Sequence, residues 1–367
     1  MGKTIKLKPF EPYRKIKPED FGIEDIPFYE PGKPPRHDLW GKLDFLDEEE
    51  RLFGKKWGAQ GIGRLQEVLV CRPSKNEIHP VFKKDPTFYM FYDGQIPDIE
   101  KMQKEHDELV KIYKQAGVEV HYIEFPSSSM GPYGPMRWMV YAPRAFLVVR
   151  GGAIIQRSAS VPYAKGREIY EMRALVELGC PILYTVHGKG IFEIGASLFI
   201  AENLFFTGRS IAYNRDGLEQ VTPVLQRAGV KEIVVNHIPG PLYSLEWPMG
   251  GTYHPDMFIG VLDIGVVLVY PPWCGYETIE WLRDHRFKMI EVSAEEQRRY
   301  GACNCLCLEP GKVVMPAGAR KTVKEAEKAG IEVIPLDFSE MWKAGGGIRC
   351  VTGELVRAPG PGLEDIQ

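Results

Sequence analysis

The chain of 367 residues is 44% hydrophobic and 26% charged, a composition that can bury a large core and argues against disorder. Its 46 basic and 49 acidic side chains give a formal charge of -3, so no strong field attracts phosphates, and a nucleic-acid partner is not expected. No stretch approaches about 18 uninterrupted apolar residues, which argues against a membrane span. These features predict a soluble, cytoplasmic protein without a membrane partner.

Residues 1–60 are rich in Pro, Lys, Glu and Asp and lack regular apolar periods, which predicts an extended N-terminal arm. From Arg64 onward a unit recurs: an apolar opening run, an amphipathic helix and a closing strand. Helices are predicted, for example, over residues 98–115 and 320–328. The opening runs cover residues 65–71, 146–155, 197–206, 257–270 and 305–315, and the closing strands cover residues 117–122, 179–184, 229–234, 287–292 and 330–335.

Five such units predict one ring-like α/β domain over residues 61–367. The strands are nearly continuous apolar runs, so they should be covered on both faces. Loops at one end of the strands should meet near a central axis. Chemistry is expected there, although a fold by itself names no reaction.

Seven cysteines, an odd number, stand alone or on segments that resemble buried strands, so a disulfide framework is not indicated. A reducing compartment fits this pattern. Cys303, Cys305 and Cys307 alternate and are predicted to share one strand face. No histidine lies nearby in sequence to complete a zinc site, so core packing is favoured over metal binding. No metal or cofactor is expected.

Two acid/base candidates open strands after glycine-rich turns. Glu193 lies among apolar residues, so it is either an acid/base with a raised pKa or the exposed member of a strand start. His254 follows Gly250 and Gly251 and precedes Asp256 by two residues. His254 can serve as a general acid/base and Asp256 as an acceptor that orients the substrate. A purely structural loop histidine is the alternative.

Cys350 follows the glycines at 345–347 and stands beside Arg349. Glycine allows the backbone to approach a ligand closely, and a neighbouring guanidinium lowers a thiol pKa and increases the thiolate fraction. The alternative is a glycine-rich turn before a buried, inert cysteine. A histidine partner, for which His254 is the candidate, favours the nucleophile.

Together these motifs resemble the guanidino-group-modifying superfamily, the pentein fold of arginine deiminases, dimethylarginine dimethylaminohydrolases, agmatine deiminases and glycine amidinotransferases. The resemblance spans residues 57–357. Its implied fold is a five-bladed pentein, an α/β propeller of repeated ββαβ units, here with an extended N-terminal arm. The motifs that carry it are Trp57-Gly58-Ala59-Gln60, Gly63-Arg64-Leu65, Phe192-Glu193-Ile194-Gly195, His254-Pro255-Asp256 and the Gly-Gly-Gly-Ile-Arg-Cys that ends at Cys350.

The resemblance implies that Cys350 is the nucleophile, His254 its proton-transfer partner, Glu193 a second acid/base and Asp256 a substrate contact. The implied reaction is thiolate attack on a planar carbon of a small molecule, loss of an amine and hydrolysis of the covalent adduct. In an amidinotransferase a second amine replaces the water. The composition is also compatible with a homo-oligomer.

Two acids of guanidine-processing relatives are missing. Ala145 follows Arg144 where those relatives carry Asp, and Ala196 ends a motif that otherwise reads Glu-Gly-Gly-Asp. Removing a buried carboxylate that pairs with a cation costs about 3–5 kcal/mol, so an arginine-like substrate loses favour. Arg144, Arg157 and Arg349 would suit an anionic or carbonyl-bearing substrate, unless they form structural ion pairs.

Three functions therefore remain open. The first is a cysteine-dependent hydrolase or amidinotransferase acting on a C–N bond of a guanidine, amidine or ureido compound. The second is a pentein hydrolase of a non-guanidine substrate such as a cyclic carbonyl compound. The third is a non-catalytic binding scaffold.

Overall fold

The computed structural model of the protein describes residues 7, 10, 13, 17–75, 77–80, 84, 95–126, 130–136, 139–158, 165–238, 252 and 254–366. Its helices are α1 (His37–Trp40), α2 (Phe45–Phe53), α3 (Ile99–Gln115), α4 (Arg167–Glu177), α5 (Arg215–Arg227), α6 (Tyr276–Asp284), α7 (Ala294–Tyr300), α8 (Arg320–Lys328) and α9 (Ser339–Lys343). Its strands are β1 (Leu65–Val70), β2 (Glu119–Tyr122), β3 (Met130–Gly131), β4 (Gly134–Pro135), β5 (Phe146–Val149), β6 (Gly152–Ile155), β7 (Ile182–Thr185), β8 (Ser197–Ala201), β9 (Leu204–Arg209), β10 (Glu232–His237), β11 (Ile259–Asp263), β12 (Val266–Val269), β13 (Lys288–Glu291), β14 (Leu306–Glu309), β15 (Lys312–Pro316), β16 (Glu332–Leu336) and β17 (Gly353–Arg357).

Within these residues β3 and β4 form a two-stranded antiparallel sheet, and the other strands form five three-stranded sheets. Each three-stranded sheet combines one antiparallel pair with one parallel pair. The expectation of a mixed α/β fold is confirmed. Four of the predicted opening runs turn back on themselves to form the antiparallel pairs β5–β6, β8–β9, β11–β12 and β14–β15. The predicted closing strands supply the parallel partners because a helix leads back to the same sheet edge.

The first sheet is assembled differently. The antiparallel partner of β1 is β17, with Leu65 opposite Arg357 and Leu69 opposite Gly353. The sequence pattern predicts no strand after residue 335, and β17 is therefore a difference between the prediction and the structure. Its pairing joins the two ends of the repeated region. It also anchors the segment immediately after Cys350.

In each of the five sheets the outer strand, which pairs in parallel, is the least buried. All residues of β8 and β6 are buried, whereas β2, β7 and β13 are mostly half-buried or exposed. The expectation that strands are covered on both faces therefore holds for the inner strands and is wrong for the outer ones, which lie at sheet edges. One pocket is lined by the inner strands of all five sheets, through Phe146, Leu198, Ile259, Leu306 and Glu354.

The N-terminal segment is not extended throughout. It contains α1 and α2, and Asp44 caps α2 by accepting a hydrogen bond from the Leu46 N–H at 2.9 Å. Gly54, at φ 79°, ends that helix in a left-handed conformation, which glycine adopts without strain. These local capping signals override the irregular apolar pattern. None of the helices in the described ranges is long and apolar enough to cross a membrane.

The alternating cysteines do not share one strand face. Cys303 lies in a turn and Cys305 precedes β14, so only Cys307 belongs to the strand. The turn follows Gly301, whose carbonyl accepts the Asn304 N–H at 2.8 Å. All three thiols are buried, and burial raises the pKa of each. The predicted core packing is confirmed, but its geometry is not that of a strand.

Candidate active site

Cys350 lies in a 3-10 turn, Arg349–Val351, between α9 and β17. The three glycines before it meet different requirements. Gly345 has a left-handed φ of +92°. A Cβ on Gly346 would lie 2.6 Å from the Tyr141 ring, and one on Gly347 would lie 2.6 Å from Asn304 Oδ1. The glycine run therefore permits a sharp turn in close contact with two side chains.

Asn304 holds this turn in place. Its fully buried Oδ1 accepts the backbone N–H groups of Arg349 at 3.0 Å and Cys350 at 3.4 Å. Its Nδ2 donates to Cys350 Sγ at 3.2 Å and to the Asp256 carbonyl at 3.3 Å. One amide thus connects the cysteine to the segment that carries His254.

His254 and Glu193 face each other. His254 Nε2 lies 3.5 Å from Glu193 Oε2, and the other carboxylate oxygen accepts the Ser158 hydroxyl at 2.7 Å. The imidazole packs on Gly195, where a Cβ would approach Nδ1 to 2.3 Å, so a side chain there would displace the ring. Glu193 is buried and not the exposed member of a strand start. Glu193 and Gly195 thus fix the position of the His254 ring.

Asp256 and Arg349, each expected to contact substrate, are paired with each other. Asp256 Oδ2 accepts from Arg349 Nη1 at 2.8 Å, and the carboxylate side chain is only 1% exposed. Both terminal nitrogens of the guanidinium also lie 3.4 Å from the Ser197 carbonyl. Asp256 Oδ1 is buried and has no hydrogen-bond partner among the residues that the structure describes. The pair is therefore internally neutralised but leaves one acceptor unused.

Arg144 belongs to a second buried ionic group. Its Nη1 donates to Glu354 Oε1 at 3.3 Å, and Glu354 Oε2 accepts from Arg357 Nε at 2.7 Å. Arg144 Nη2 is buried without a hydrogen-bond partner within the described ranges. Burial, followed by the charge of Arg349, lowers the pKa of Arg144 to about 10. This guanidinium is poorly compensated compared with Arg357.

The surroundings of the Cys350 thiol favour its protonated form. Burial, followed by the charge of Asp256, raises its pKa to about 12, although Arg144 and the Asn304 amide act in the opposite direction. The cation that lowers the thiol pKa is Arg144. The sequence predicted this role for Arg349, whose guanidinium instead pairs with Asp256. Cys350 is the only one of the seven cysteines, all of which lie in described residues, that is not fully buried.

The other predicted site positions are separately placed. Arg157 Nη1 donates to the Gly190 carbonyl at 2.8 Å, a contact that supports the turn before Glu193. Ala145 is fully buried just before β5. Ala196 ends the 3-10 turn Ile194–Ala196. Residues 250–251, the glycines predicted to precede His254, lie outside the described residues.

Comparison with known proteins identifies the family. The model of the arginine deiminase family matches residues 275–357. A 2-nitroimidazole nitrohydrolase of Mycobacterium sp. (strain JS330) is 31% identical over 363 residues, which cover 95% of each chain. The chain belongs to the pentein superfamily. A second pentein, the N(G),N(G)-dimethylarginine dimethylaminohydrolase of Pseudomonas aeruginosa, is 24% identical over 266 residues, 70% of this chain and 89% of that protein.

Solved pentein structures share the fold. The amidinotransferase SxtG from Microseira wollei superposes with a TM-score of 0.65 at 17% identity, over 84% of this chain and 98% of that one. The N-terminal domain of ArgZ, a cyanobacterial arginine dihydrolase, superposes with a TM-score of 0.62 at 21% identity, over 78% of this chain and 96% of that domain. At these identities the likeness concerns the fold alone.

Three residues of this pentein's site escaped the sequence reading. Asn304 stands between two cysteines in an apolar run, and this isolated polar side chain is the one signal that the sequence offers for it. Ser158 follows an apolar strand by three residues and carried no motif. Glu354 stands three residues before Arg357, a spacing that could have suggested an ion pair, but only the pairing of β17 with β1 buries it.

One group of carboxylates and a histidine lies elsewhere. Glu67, Glu119 and His121, on β1 and β2, bring three possible metal-ligand atoms together among the described residues. Lys55 already forms an ion pair with Glu67, and His121 Nε2 lies 3.2 Å from the same carboxylate. The Lys55 ammonium group and the His121 ring thus share Glu67 Oε2, the oxygen atom that a metal ion would need. These contacts are those of an ion-pair network.

Proposed function

We propose that this pentein is a cysteine-dependent hydrolase that displaces a nitrogen-bearing leaving group from a planar carbon between two nitrogen atoms, in a substrate without a guanidinium cation. The observation that carries this proposal is the 2.8 Å pairing of Asp256 with Arg349. The carboxylate retained in the His-x-Asp motif already has an internal cation. A 2-nitroimidazole presents the required carbon, and a relative at 31% identity is a 2-nitroimidazole nitrohydrolase.

A guanidinium substrate would find few acids to bind. Ala145 and Ala196 provide no carboxylate, and Glu193 is engaged by Ser158 and His254. A bound cation would also lie close to the guanidinium groups of the site, and like charges disfavour one another in a buried setting. A neutral ring avoids this repulsion. The electrostatics of the site therefore support a neutral heteroaromatic or carbonyl-like electrophile.

The reaction proceeds in two steps. Because the Cys350 thiol has a pKa of about 12, a base must take its proton as sulfur attacks, and His254, oriented by Glu193, is that base. A C–S bond forms, and the leaving group departs with the electron pair of the C–N bond. Water then attacks the same carbon, the C–S bond breaks and sulfur regains a proton. For a nitro substrate, the products are a cyclic carbonyl compound, nitrite and a proton.

The finer architecture is inferred in the same way. We infer that the five sheets form a five-bladed pentein propeller, which is supported by their common strand order and by one pocket lined by all five inner strands. The division into an N-terminal arm, residues 1–60, and one catalytic domain, residues 61–367, stays a prediction. Assembly into a homo-oligomer is likewise a prediction.

The decisive experiment measures nitrite released from 2-nitroimidazole, with intact-mass detection of a Cys350 adduct. Wild-type protein should release nitrite and Cys350→Ala should not. Cys274→Ala is a matched control, because that thiol is buried in the core. Unchanged turnover in Cys350→Ala would overturn the proposal, as would a fully folded wild-type protein that releases no nitrite.

A second candidate is hydrolysis of a guanidine, or transfer of its amidino group. It is favoured by the match to the arginine deiminase model and by the dimethylarginine dimethylaminohydrolase relative. It predicts a Cys350 adduct with guanidines in a panel that also contains amidines, ureides and cyclic diketones. A scaffold without catalysis predicts no adduct at all, together with resistance of Cys350 to mild electrophiles.

A further inference from the structure

We infer that Arg144 provides a binding site beside Cys350 for the oxygen atoms of the leaving group, so that the enzyme selects leaving groups that carry oxygen and depart as anions. The inference rests on the proposed function and deepens it. Arg144 is then the residue that determines specificity, because it favours a nitro-type leaving group over an amine.

The first support is the unused hydrogen-bonding capacity of Arg144. Its side chain is 10% exposed, its contact with Glu354 is long at 3.3 Å, and its buried Nη2 has no partner among the described residues. Arg357, on the other side of the same carboxylate, donates from Nε to Glu354, from Nη1 to the Gly63 carbonyl and from Nη2 to the Cys307 carbonyl. Buried polar atoms are normally satisfied, so the spare donor of Arg144 is available to a ligand.

The second support is charge. Apart from Glu193, which faces His254, the ionic groups of the site comprise three guanidinium groups and two carboxylates: Arg144, Arg349, Arg357, Asp256 and Glu354. This set has an excess of one positive charge. An anion formed at the reacting carbon would compensate it in a place where water is excluded. An ammonia or amine leaving group would gain nothing from a guanidinium.

The third support is proximity to the nucleophile. The 3-10 turn Met139–Arg144, which ends at Arg144, packs against the 3-10 turn Arg349–Val351, which carries Cys350. The two side chains also influence each other's pKa. The sulfur already has the Asn304 amide as a donor at 3.2 Å. The other unpaired buried atom of these ionic groups is an acceptor, Asp256 Oδ1. One donor and one acceptor together match a neutral ring whose N–H adjoins a carbon bearing an oxygenated leaving group.

The test uses a pair of thiol reagents and does not require turnover. Iodoacetate and iodoacetamide both alkylate the thiolate at a CH₂ carbon with loss of iodide, but only iodoacetate carries an anionic oxygen pair. Those oxygens lie two bonds from the attacked carbon, as nitro oxygens do in a nitroimidazole. Both reagents consume the same thiolate, so the ratio of their rate constants is independent of any effect of Arg144 on the thiol pKa.

For wild-type protein, the iodoacetate-to-iodoacetamide ratio at Cys350 should exceed that of glutathione by about 10- to 100-fold, the effect expected of a hydrogen bond between charged groups. Arg144→Gln should bring the ratio back towards that of glutathione. Arg150→Gln is the matched control, because this exposed guanidinium pairs with Glu202 at 2.7 Å on the surface. Its ratio should equal that of wild type.

A wild-type ratio equal to that of glutathione would overturn the inference, and so would an unchanged ratio in a folded Arg144→Gln variant. If that variant does not fold, protection of the wild-type protein decides the question, since nitrite should slow alkylation by iodoacetate in a saturable manner. No protection would refute the anion site. An iodoacetate preference without nitrite release from 2-nitroimidazole would refute the proposed substrate and support the anion site.

Discussion

Asn304→Asp isolates the contribution of one amide to the reactivity of Cys350. The substitution retains an oxygen to accept the backbone N–H groups of Arg349 and Cys350, which Asn304 Oδ1 accepts at 3.0 and 3.4 Å. It removes the Nδ2 donor that lies 3.2 Å from Cys350 Sγ and puts a carboxylate in its place. The turn keeps its backbone contacts while the sulfur loses a donor.

The expected effect follows from the contribution of a hydrogen bond to a charged group, about 1.5–3 kcal/mol. Losing that stabilisation of the thiolate decreases its equilibrium fraction about 10- to 100-fold at a pH well below the thiol pKa. The added negative charge acts in the same direction. We therefore expect the second-order rate constant for alkylation of Cys350 at pH 8 to fall by at least tenfold.

The assay is intact-mass measurement of iodoacetamide labelling over time, and peptide mapping confirms the modified residue. Asn236→Asp is the matched control, because Asn236 is also fully buried and donates from Nδ2 to a backbone carbonyl, that of Thr207, at 3.0 Å. It should lower stability without changing the labelling rate. A wild-type rate in Asn304→Asp, or an equal decrease in Asn236→Asp, would refute the reasoning.

Three further substitutions test the site and the core. Gly347→Ala would bring a Cβ within 2.6 Å of Asn304 Oδ1. We expect the free energy of unfolding in denaturant to fall by about 1–3 kcal/mol and labelling of Cys350 to become slower. A variant with unchanged stability and labelling would contradict the packing argument. Asp256→Asn removes a charge that raises the Cys350 pKa, so labelling of Cys350 should become faster at pH 8. The free energy of unfolding should fall by about 3–5 kcal/mol, because the Arg349 guanidinium loses its partner. Slower labelling would exclude this electrostatic role. Burial lowers the pKa of His106 from 6.5 to about 4, so the folded state binds fewer protons than the unfolded chain and stability falls as the pH decreases from about 6.5 to 4. In urea unfolding at pH 8 and pH 4, His106→Leu should therefore lose about 3 kcal/mol less on acidification than wild type. Equal losses in the two proteins would refute the assignment.

The order of helices and strands could be predicted because it depends on local patterns. The helix predicted over residues 320–328 matches α8, and each predicted closing strand overlaps an observed one. Apolar periodicity, glycine positions and helix length are all visible within a window of about ten to eighteen residues. The capped helix α2 carried local signals too, Asp44 and Gly54, which the irregular composition around them obscured.

The long-range pairing of β17 with β1 could not be read in this way. Its partners, such as Leu65 and Arg357, are distant in sequence, and β17 has no neighbouring strand in its own unit. The same pairing buries Glu354 beside Arg144. A contact of this kind depends on where the two ends of the repeated region meet, which no local pattern encodes.

The candidate site shows the same difference between what a local pattern predicts and what a long-range contact decides. The residues alone pointed to Cys350, His254 and Glu193, because glycine-rich turns before reactive side chains are a local feature. Tertiary structure decided what surrounds them: the Asn304 amide beside the sulfur and the pairing of Asp256 with Arg349. Charge compensation acts through space between different loops, so only the folded chain determines which carboxylate remains available to a substrate.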